Sequence, residues 1–426
     1  MTPHANDDLM QLHAGIYSPP PVYNKRLSRV RRLSKLPQPS IFLRPRSHDD
    51  HKVTKELLET FLVRCTLEEI QSSISTLLKI EFFTPNTVHW LIDWATDDPT
   101  SSIGIASIAS LGFLAFPDQK IPGICDLIFN TPGLVKDLLR ITVENKLCLS
   151  KQIHPDEIQF GEKLGSGAGG IVYEALYKDK SVAVKKFKKD GLWFSDEKDY
   201  YYESAIICLF GSFKHFIHCF GVNDDEGFIV MPLALNKSLD HVITEGLLEE
   251  LTWDDKLKII YQISKALKTL HQYGIIHRDI KPSNILLDHE YNCYLTDFGV
   301  ISFGEINIST TKQHRKRALT LNVGTNIYMA PEVSLGNGLY YSAIDVYSFG
   351  VIMWQLVTNC SIPYLDQGIS LREVSSFVSS GKRLEIPSDC PQPFAKLISK
   401  CWHSNPKKRP SFNQLTITFE TLLTAM

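Results

Sequence analysis

The chain has 426 residues, of which 43% are hydrophobic and 22% are charged, and its 45 basic and 47 acidic residues almost cancel. This composition is that of an ordinary globular protein and excludes disorder throughout the chain. The near-neutral charge argues against a nucleic-acid binder that uses its whole surface, although a local basic patch stays open.

The cysteine pattern and the hydropathy indicate a cytoplasmic protein. None of the nine cysteines forms a C-x-x-C pair, which argues against a disulfide framework or a zinc ribbon and favours a reducing compartment. The N-terminus has no basic segment followed by an apolar one, so no signal peptide is predicted. The uncharged stretch 346–365 is long enough to span a membrane, but Gln355, Asn359 and Pro363 favour a helix buried in a soluble domain.

Residues 1–50 are predicted to form a disordered tail, because prolines cluster at 19–21 and basic residues at 25–35. A solvated tail is the simplest interpretation of the basic run. Ser28 and Ser34 each come after basic residues, so phosphorylation of this segment is an alternative. A nuclear signal or a contact with anionic lipid is a weaker alternative.

Residues 51–150 show the periodicity of short amphipathic helices and predict a small all-α region. Thr66–Glu69 has the form of a capping box, and Thr131–Pro132 is typical of a helix start. Trp90 and Trp94 lie four residues apart, which favours core packing over a ligand cage. The short helices resemble an armadillo-like solenoid without a clear repeat period, and the region is a candidate site for a protein partner.

From about residue 155 the pattern is typical of strands, and after about residue 250 helical periodicity returns. Apolar and β-branched residues predict strands at 158–164, 171–173 and 182–184. A capping box at Thr252–Asp255 predicts a long helix that ends near Gly274. A strand-rich part followed by a larger helix-rich part predicts a two-lobed α+β domain.

The segment Gly165–Gly170 matches the pattern G-x-G-x-x-G. In a dinucleotide-binding fold a helix follows these glycines, so that a pyrophosphate meets the helix N-terminus. Here a strand-like segment follows, with Val172 two residues after the last glycine. The pattern therefore favours a hairpin whose backbone covers a nucleoside triphosphate, and it argues against a dinucleotide-dependent oxidoreductase.

A lysine follows the glycines at the end of the segment Val182–Lys185. A lysine on an inward-facing strand position is costly unless an anion pairs with it. An ATP phosphate and a helix carboxylate would be such anions. Glu203 is the predicted carboxylate, and Glu197 is the alternative.

Three further motifs lie in the second part: His277–Asn284, reading H-R-D-I-K-P-S-N, then Asp297-Phe298-Gly299, and Ala330-Pro331-Glu332. With the glycine loop and Lys185 they stand in the order and at the approximate spacing of the eukaryotic protein kinases. The chain resembles that family over residues 155–424. The resemblance implies the two-lobed kinase fold, with an antiparallel β-sheet N-lobe and a helical C-lobe, preceded by the small all-α region.

The resemblance implies a role for each matching residue. Asp279 would be the catalytic base that accepts the proton of the substrate hydroxyl, and Lys281 would steady the transferring phosphoryl group. Lys185 and Glu203 would complete the catalytic set, and Asn284 and Asp297 would hold Mg2+. The residues that the resemblance places around ATP are Leu164, Gly165, Ser166, Gly167, Ala168, Gly169, Gly170, Val172, Ala183, Lys185, Met231, Ala234 and Leu286.

The resemblance also indicates a subgroup. Lys281 two residues after Asp279, and Gly324-Thr325 ahead of the Ala-Pro-Glu motif, match the serine/threonine form. Glu332 and Arg409 match a pair that forms a buried salt bridge in the family. Segments similar to the tyrosine-kinase-like group, which is mostly serine/threonine-specific, are 345–351, 401–406 and 409–412.

The implied function is transfer of the γ-phosphoryl of MgATP to Ser or Thr hydroxyls of a protein substrate. Arg278 beside the base suggests control through phosphorylation of the activation loop by an upstream kinase. The basic segment 314–317 would receive a phosphate or an acidic substrate segment, or would simply be solvated. The candidate phosphorylation sites are Ser302, Ser309, Thr310, Thr311 and Thr320.

The alternative function is a pseudokinase scaffold that binds partners through the helical N-terminal region. The presence of Lys185, Asp279 and Asp297 argues against it. One segment departs from the family pattern: Phe213–His218 replaces the usual His-Pro-Asn-Ile-Val and adds one residue, which bears on the choice of Glu203.

Overall fold

The computed structural model describes residues 48–79, 82–116, 121, 123–167, 169–187, 197–303, 306–307, 327–335, 339–340 and 342–424. These residues belong to one compact unit that extends over Phe42–Met426. The predicted tail over 1–50 lies almost entirely outside the described residues, as do Ser28 and Ser34.

The described residues before the sheet form a region of short helices, as predicted. The Thr66–Glu69 capping box is present, because the Thr66 N–H donates to Glu69 Oε2 at 2.8 Å and the Glu69 N–H donates to Thr66 Oγ1 at 3.2 Å. The helices are α1 (His48–Arg64), α2 (Leu67–Lys79), α3 (Pro85–Asp97), α4 (Ser102–Ala115), α5 (Ile124–Asn130) and α6 (Leu134–Glu144).

Helix α4 is the centre of this helical region. Its sequence is apolar almost all round, and from Gly104 onward nearly every residue is buried. Helices α1, α2, α3 and α6 pack against it. A helix with no polar face has to be surrounded by others, so α4 organises the core of residues 48–149.

The start of helix α6 and the surroundings of Trp90 and Trp94 can be compared with the sequence-based predictions. The predicted helix start at Thr131–Pro132 is wrong, because Gly133, with φ 82°, is the N-cap and α6 begins at Leu134. A left-handed residue cannot continue a helix begun before it. Trp90 and Trp94 are partly buried, and the Lys55 ammonium lies 5.7 and 5.5 Å from their ring centroids. A side chain of the protein itself thus takes the place that a cationic ligand would take in a cage.

A five-stranded antiparallel sheet follows, in the order β1-β2-β3-β5-β4, as the predicted N-lobe requires. Helix α7 (Glu197–Phe210) connects β3 to the rest of the sheet. The strands are β1 (Ile158–Gly167), β2 (Gly170–Tyr177), β3 (Lys180–Lys186), β4 (Gly221–Asn223) and β5 (Phe228–Pro232).

The remaining residues form the helical lobe. The Thr252 capping box is present, and the long helix that it starts ends at Gln272. The helices are α8 (Leu239–Thr244), α9 (Trp253–Gln272), α10 (Pro331–Ser334), α11 (Ala343–Thr358), α12 (Val374–Ser379), α13 (Gln392–Cys401) and α14 (Phe412–Thr424). Short strands are β6 (Ile275–Ile276), β7 (Ile285–Leu287), β8 (Cys293–Leu295), β9 (Ser302–Phe303), β10 (Ile306–Asn307) and β11 (Leu339–Tyr340).

Helix α11 contains most of the uncharged stretch. Its residues from Ile344 to Leu356 are buried among the other helices, and it ends at Asn359, which has φ 53°. The interior position explains why the segment carries no charge. Within the described residues, no helix combines the length and the apolar character needed to cross a lipid bilayer.

The segment 211–220 between α7 and β4 joins the two lobes. The Leu295 N–H donates to the His215 carbonyl at 2.9 Å, and the Ile217 N–H donates to the Leu295 carbonyl at 3.3 Å. His215 adopts φ 73° and its ring contacts the Cys293 carbonyl at 3.3 Å. Burial lowers the pKa of His215 to about 4, although the contact with Cys293 opposes the shift.

Replacing His215 by asparagine is expected to make the protein less sensitive to acid. The unfolded chain binds a proton at His215 below its ordinary pKa of 6.5, whereas the native state resists protonation until about pH 4. The free energy of unfolding therefore falls as the pH falls through this window, by about 1–3 kcal/mol in total. Asparagine tolerates positive φ and does not titrate.

Urea unfolding at pH 7 and pH 5 measures this difference in wild type and in the His215→Asn variant. His218→Asn is the matched control, because His218 is exposed and three residues away. Equal acid sensitivity in wild type and His215→Asn would contradict the assignment.

Candidate active site

The glycine segment forms the tip of a β-hairpin. Gly165 pairs with Val172 and Gly167 with Gly170, so a strand and not a helix follows the glycines. Gly170 has φ 144°, and a Cβ at this position would lie 2.4 Å from the Lys186 carbonyl oxygen. The close approach of the β3 backbone requires glycine here. Ala168 lies outside the described residues.

Lys185 lies below this hairpin, between two carboxylates. Its ammonium contacts both oxygens of Glu203 at 2.7 Å and Asp297 Oδ1 at 2.9 Å. A Cβ on Gly169 would lie 3.2 Å from the same ammonium, so the loop passes directly over it. The structure thus brings Glu203, the predicted carboxylate, to Lys185, whereas the side chain of the alternative Glu197 lies outside the described residues.

Burial and pairing shift the pKa values of these three groups in different directions. Burial raises the pKa of Glu203 to about 7, although Lys185 opposes the shift. Burial alone would raise the pKa of Asp297, but the Lys185 ammonium outweighs it and lowers the value to about 2. Burial would lower the pKa of Lys185, but Asp297 and Glu203 outweigh it and raise the value. Asp297 therefore stays ionised at neutral pH.

Asp279 is fixed by two neighbours in the loop after β6. The Lys281 ammonium contacts Asp279 Oδ2 at 2.6 Å, and the Asn284 amide donates to the same oxygen at 3.1 Å. Asn284 also donates to the Asp279 backbone carbonyl at 2.7 Å. The Asp279 residue is only 8% exposed. The carboxylate is therefore held in one orientation by cationic and amide donors.

The predicted adenine site combines apolar residues of both lobes. Ala183 pairs with Met231 across β3 and β5, which places them side by side in the sheet. Val172 and Leu286 are partly buried, whereas Leu164 is 46% exposed. Ala234 follows β5, and its carbonyl accepts a hydrogen bond from the Lys237 N–H at 3.0 Å.

Comparison with known proteins decides the family. The family model described as protein tyrosine and serine/threonine kinase matches residues 158–419. The chain belongs to the protein kinase family. The matched segment lies inside the range predicted from the motifs.

Named relatives agree with this membership. A probable LIM domain-containing serine/threonine-protein kinase of Dictyostelium discoideum is 33% identical over 290 residues, covering 67% of this chain and 42% of the relative. A putative serine/threonine-protein kinase/receptor of Acanthamoeba polyphaga mimivirus is 36% identical over 277 residues, covering 64% of this chain and 16% of the relative. The chain thus spans less than half the length of these relatives.

The role of Asp345 was not predicted from the sequence, where this residue appears only as the start of the family-like segment 345–351. Its buried carboxylate accepts hydrogen bonds from the His277 N–H at 2.9 Å and the Arg278 N–H at 2.8 Å, and it contacts His271 Nε2 at 2.8 Å. Arg278 adopts φ 71°. The only hint in the sequence was that Asp345 directly precedes the uncharged stretch 346–365, because a carboxylate is unusual in a helix buried in a core.

The Asp345 carboxyl stays ionised despite complete burial. Burial alone would raise its pKa, but the hydrogen bond and the charge of His271 and the N–H of Arg278 outweigh it and lower the value. An anion in the interior is stable only when donors surround it. Asp345 therefore fixes the backbone that carries Asp279.

Most of the predicted regulatory positions of the kinase domain lie outside the described residues. Activation by loop phosphorylation therefore stays a prediction. Ser302 lies in β9, which pairs with β6 next to the catalytic loop. Positions outside the described residues are Ser309, Thr310, Thr311, Thr320, the basic segment 314–317 and Gly324-Thr325.

Proposed function

We propose that this chain is a serine/threonine protein kinase that transfers the γ-phosphoryl group of MgATP to hydroxyl groups of a protein substrate. The observation that carries the proposal is the buried ion pair of Lys185 with Glu203 and Asp297, at 2.7 and 2.9 Å. This arrangement places a cation where it can bind nucleotide phosphates, beside a carboxylate that can bind a metal ion. The names of the relatives support serine and threonine as acceptors.

Asp279 acts as the base in this proposal. Its carboxylate accepts the proton of the substrate hydroxyl as the oxygen attacks the γ-phosphorus, and the bond from that phosphorus to the β–γ bridging oxygen breaks. The Lys281 ammonium, 2.6 Å from the Asp279 carboxylate, adds positive charge next to the phosphoryl group as it is transferred. The two side chains thus act on the nucleophile and on the developing negative charge respectively.

The donor set of the site fits magnesium. Asp297 supplies an ionised carboxylate, and Asn284 donates from its amide nitrogen to Asp279, which leaves the amide oxygen to serve as a ligand. Mg2+ prefers such oxygen ligands and usually completes its shell with water and phosphate. When bound, the ion would neutralise phosphate charge. No group of three or more His, Cys, Asp or Glu side chains is placed to bind a metal among the described residues.

The adenine site is proposed to lie between Val172 and Ala183 on the N-lobe side and Leu286 on the C-lobe side. Met231 and Ala234 border it at the end of β5, Leu164 covers its entrance, and the backbone of 165–170 covers the phosphates. A cytoplasmic location is also proposed, because all nine cysteines are free thiols, as is usual in a reducing compartment.

A phosphorylation assay tests the proposed function. Purified full-length protein is incubated with Mg2+ and γ-labelled ATP on a peptide array that offers serine, threonine and tyrosine acceptors. We expect label on serine and threonine peptides from wild type and none from the Asp297→Asn variant. Label on tyrosine peptides alone would overturn the specificity, and equal label from the two proteins would favour the scaffold function.

A further inference from the structure

Helix α7, which carries Glu203, is packed against a helix that lies outside the kinase domain. Helix α6 of the N-terminal helical region packs against α7. The family match begins only at residue 158, so the residues that support α7 here belong to this chain's own N-terminal region. The position of Glu203 therefore depends on residues that the kinase family does not supply.

At the C-terminal end of α7, Phe129 of α5 meets three aromatic rings. The Phe129 ring centroid lies 5.5 Å from that of Phe210, 4.7 Å from Phe213 and 5.3 Å from Tyr273, each in an edge-to-face arrangement. Phe210 is the last residue of α7, Phe213 lies in the segment 211–220 toward β4, and Tyr273 follows the last residue of α9. One side chain of the helical region thus joins both lobes.

The aromatic contacts continue from Phe210 into the active site. The Phe210 ring lies 5.4 Å from Phe216, and Phe216 lies 6.2 Å from Phe298, which directly follows Asp297. Phe298 in turn lies 5.4 Å from the ring of His277, two residues before Asp279. A row of packed rings therefore runs from the helical region to both catalytic carboxylates.

A second attachment holds the other end of α7. The Tyr200 hydroxyl donates to Asp224 Oδ1 at 2.6 Å, and Gln152, in the connection from the helical region, donates to Asp224 Oδ2 at 2.7 Å. At the same end as Phe210, the Cys208 thiol donates to the Leu149 carbonyl at 3.2 Å. Glu203 lies between these attachments. It is seven residues, or about two turns, from Phe210, so the two side chains share one face of the helix.

We propose that Phe129 is a positioning residue, through which the N-terminal helical region holds α7 so that Glu203 reaches Lys185. The inference rests on the proposed function, since the readout is kinase activity. Loss of the Phe129 ring removes the wedge between Phe210, Phe213 and Tyr273. Helix α7 is then free to shift, and a shift separates Glu203 from Lys185. The helical region is thus a built-in activator of the kinase domain.

The test replaces Phe129 by alanine in the full-length chain. We expect kcat/KM for ATP to fall about two- to thirty-fold, the range for residues that act on a site through packing. Phe129→Tyr, which keeps the ring, restores most of the activity. Phe83→Ala is the matched control, because Phe83 is a partly buried phenylalanine of the same region whose ring packs on Phe82. It is expected to leave kcat/KM within twofold.

A double-mutant comparison separates positioning from general destabilisation. If Phe129 acts through Glu203, adding Phe129→Ala to a Glu203→Gln variant lowers the residual activity less than twofold. An equal loss in both backgrounds, or an equal loss in Phe83→Ala, would overturn the proposal.

Hydrogen exchange gives a readout that does not need activity. We expect faster amide exchange in α7 of Phe129→Ala, with α11 unchanged. Unchanged amide exchange in α7 would contradict the positioning role of Phe129, even if the wild-type protein proved inactive. Wild-type inactivity with faster α7 exchange would instead contradict the proposed function alone.

Discussion

Replacing Asp279 by asparagine is expected to lower the rate of phosphoryl transfer by at least about 10²-fold, the usual scale for an acid–base group. The amide has nearly the same shape, and it keeps an oxygen that can accept from Lys281 and Asn284, which now contact the carboxylate at 2.6 and 3.1 Å. It cannot accept the substrate proton. Folding and nucleotide affinity are therefore expected to change little.

The measurement compares single-turnover phosphorylation by wild type and variant at saturating MgATP, with nucleotide binding measured separately by calorimetry. Asp254→Asn is the matched control, because Asp254 is an exposed carboxylate in the first turn of α9. A variant that phosphorylates within a factor of three of wild type would remove Asp279 from its proposed role.

Replacing Arg409 by methionine is expected to lower the free energy of unfolding by about 3–5 kcal/mol, the cost of leaving one partner of a buried ion pair alone. The guanidinium makes two contacts with Glu332, at 2.6 and 2.8 Å, and its side chain is fully buried. It also donates to the carbonyls of Ala343 and His403, both at 2.9 Å. The substitution therefore leaves a carboxylate and two carbonyls without their donor.

Urea unfolding monitored by circular dichroism measures the loss. Lys408→Met is the control, because the neighbouring Lys408 is exposed, and it should change the free energy of unfolding by less than about 0.5 kcal/mol. Removing both charges, in Arg409→Met with Glu332→Leu, is expected to restore part of the stability, since no carboxylate stays unpaired. A loss in Arg409→Met no larger than in Lys408→Met would show that the pair contributes little.

The sequence motifs alone did not decide whether Glu203 or Glu197 pairs with Lys185. Both glutamates lie at a plausible distance from Lys185 along the chain, and the segment 213–218, which is one residue longer than the family pattern after Glu203, left the choice open. The structure shows the Glu203 carboxylate 2.7 Å from the Lys185 ammonium, and the Glu197 side chain lies outside the described residues. The altered segment keeps its connection to the C-lobe through Leu295, which bonds His215 and Ile217.

Asp345 and the helix start at Leu134 show where local patterns fail. Asp345 acts on backbone amides nearly 70 residues away in the chain, and no spacing rule links such positions. The Thr131–Pro132 pair has the form of a helix start, but the left-handed Gly133 places the boundary two residues later. Local propensity is easily overridden by the tertiary contacts of a short helix.

The sequence by itself predicted the family, the two-lobed fold and the motif residues Lys185, Asp279 and Asp297. These predictions were possible because each motif is a short run of neighbouring residues with a recognisable spacing. Only the tertiary structure decided that Phe129 packs on helix α7 and that Asp345 supports the catalytic loop. Those contacts join residues far apart in the chain, and burial of apolar rings and hydrogen bonding of a buried carboxylate exist only once the chain has folded.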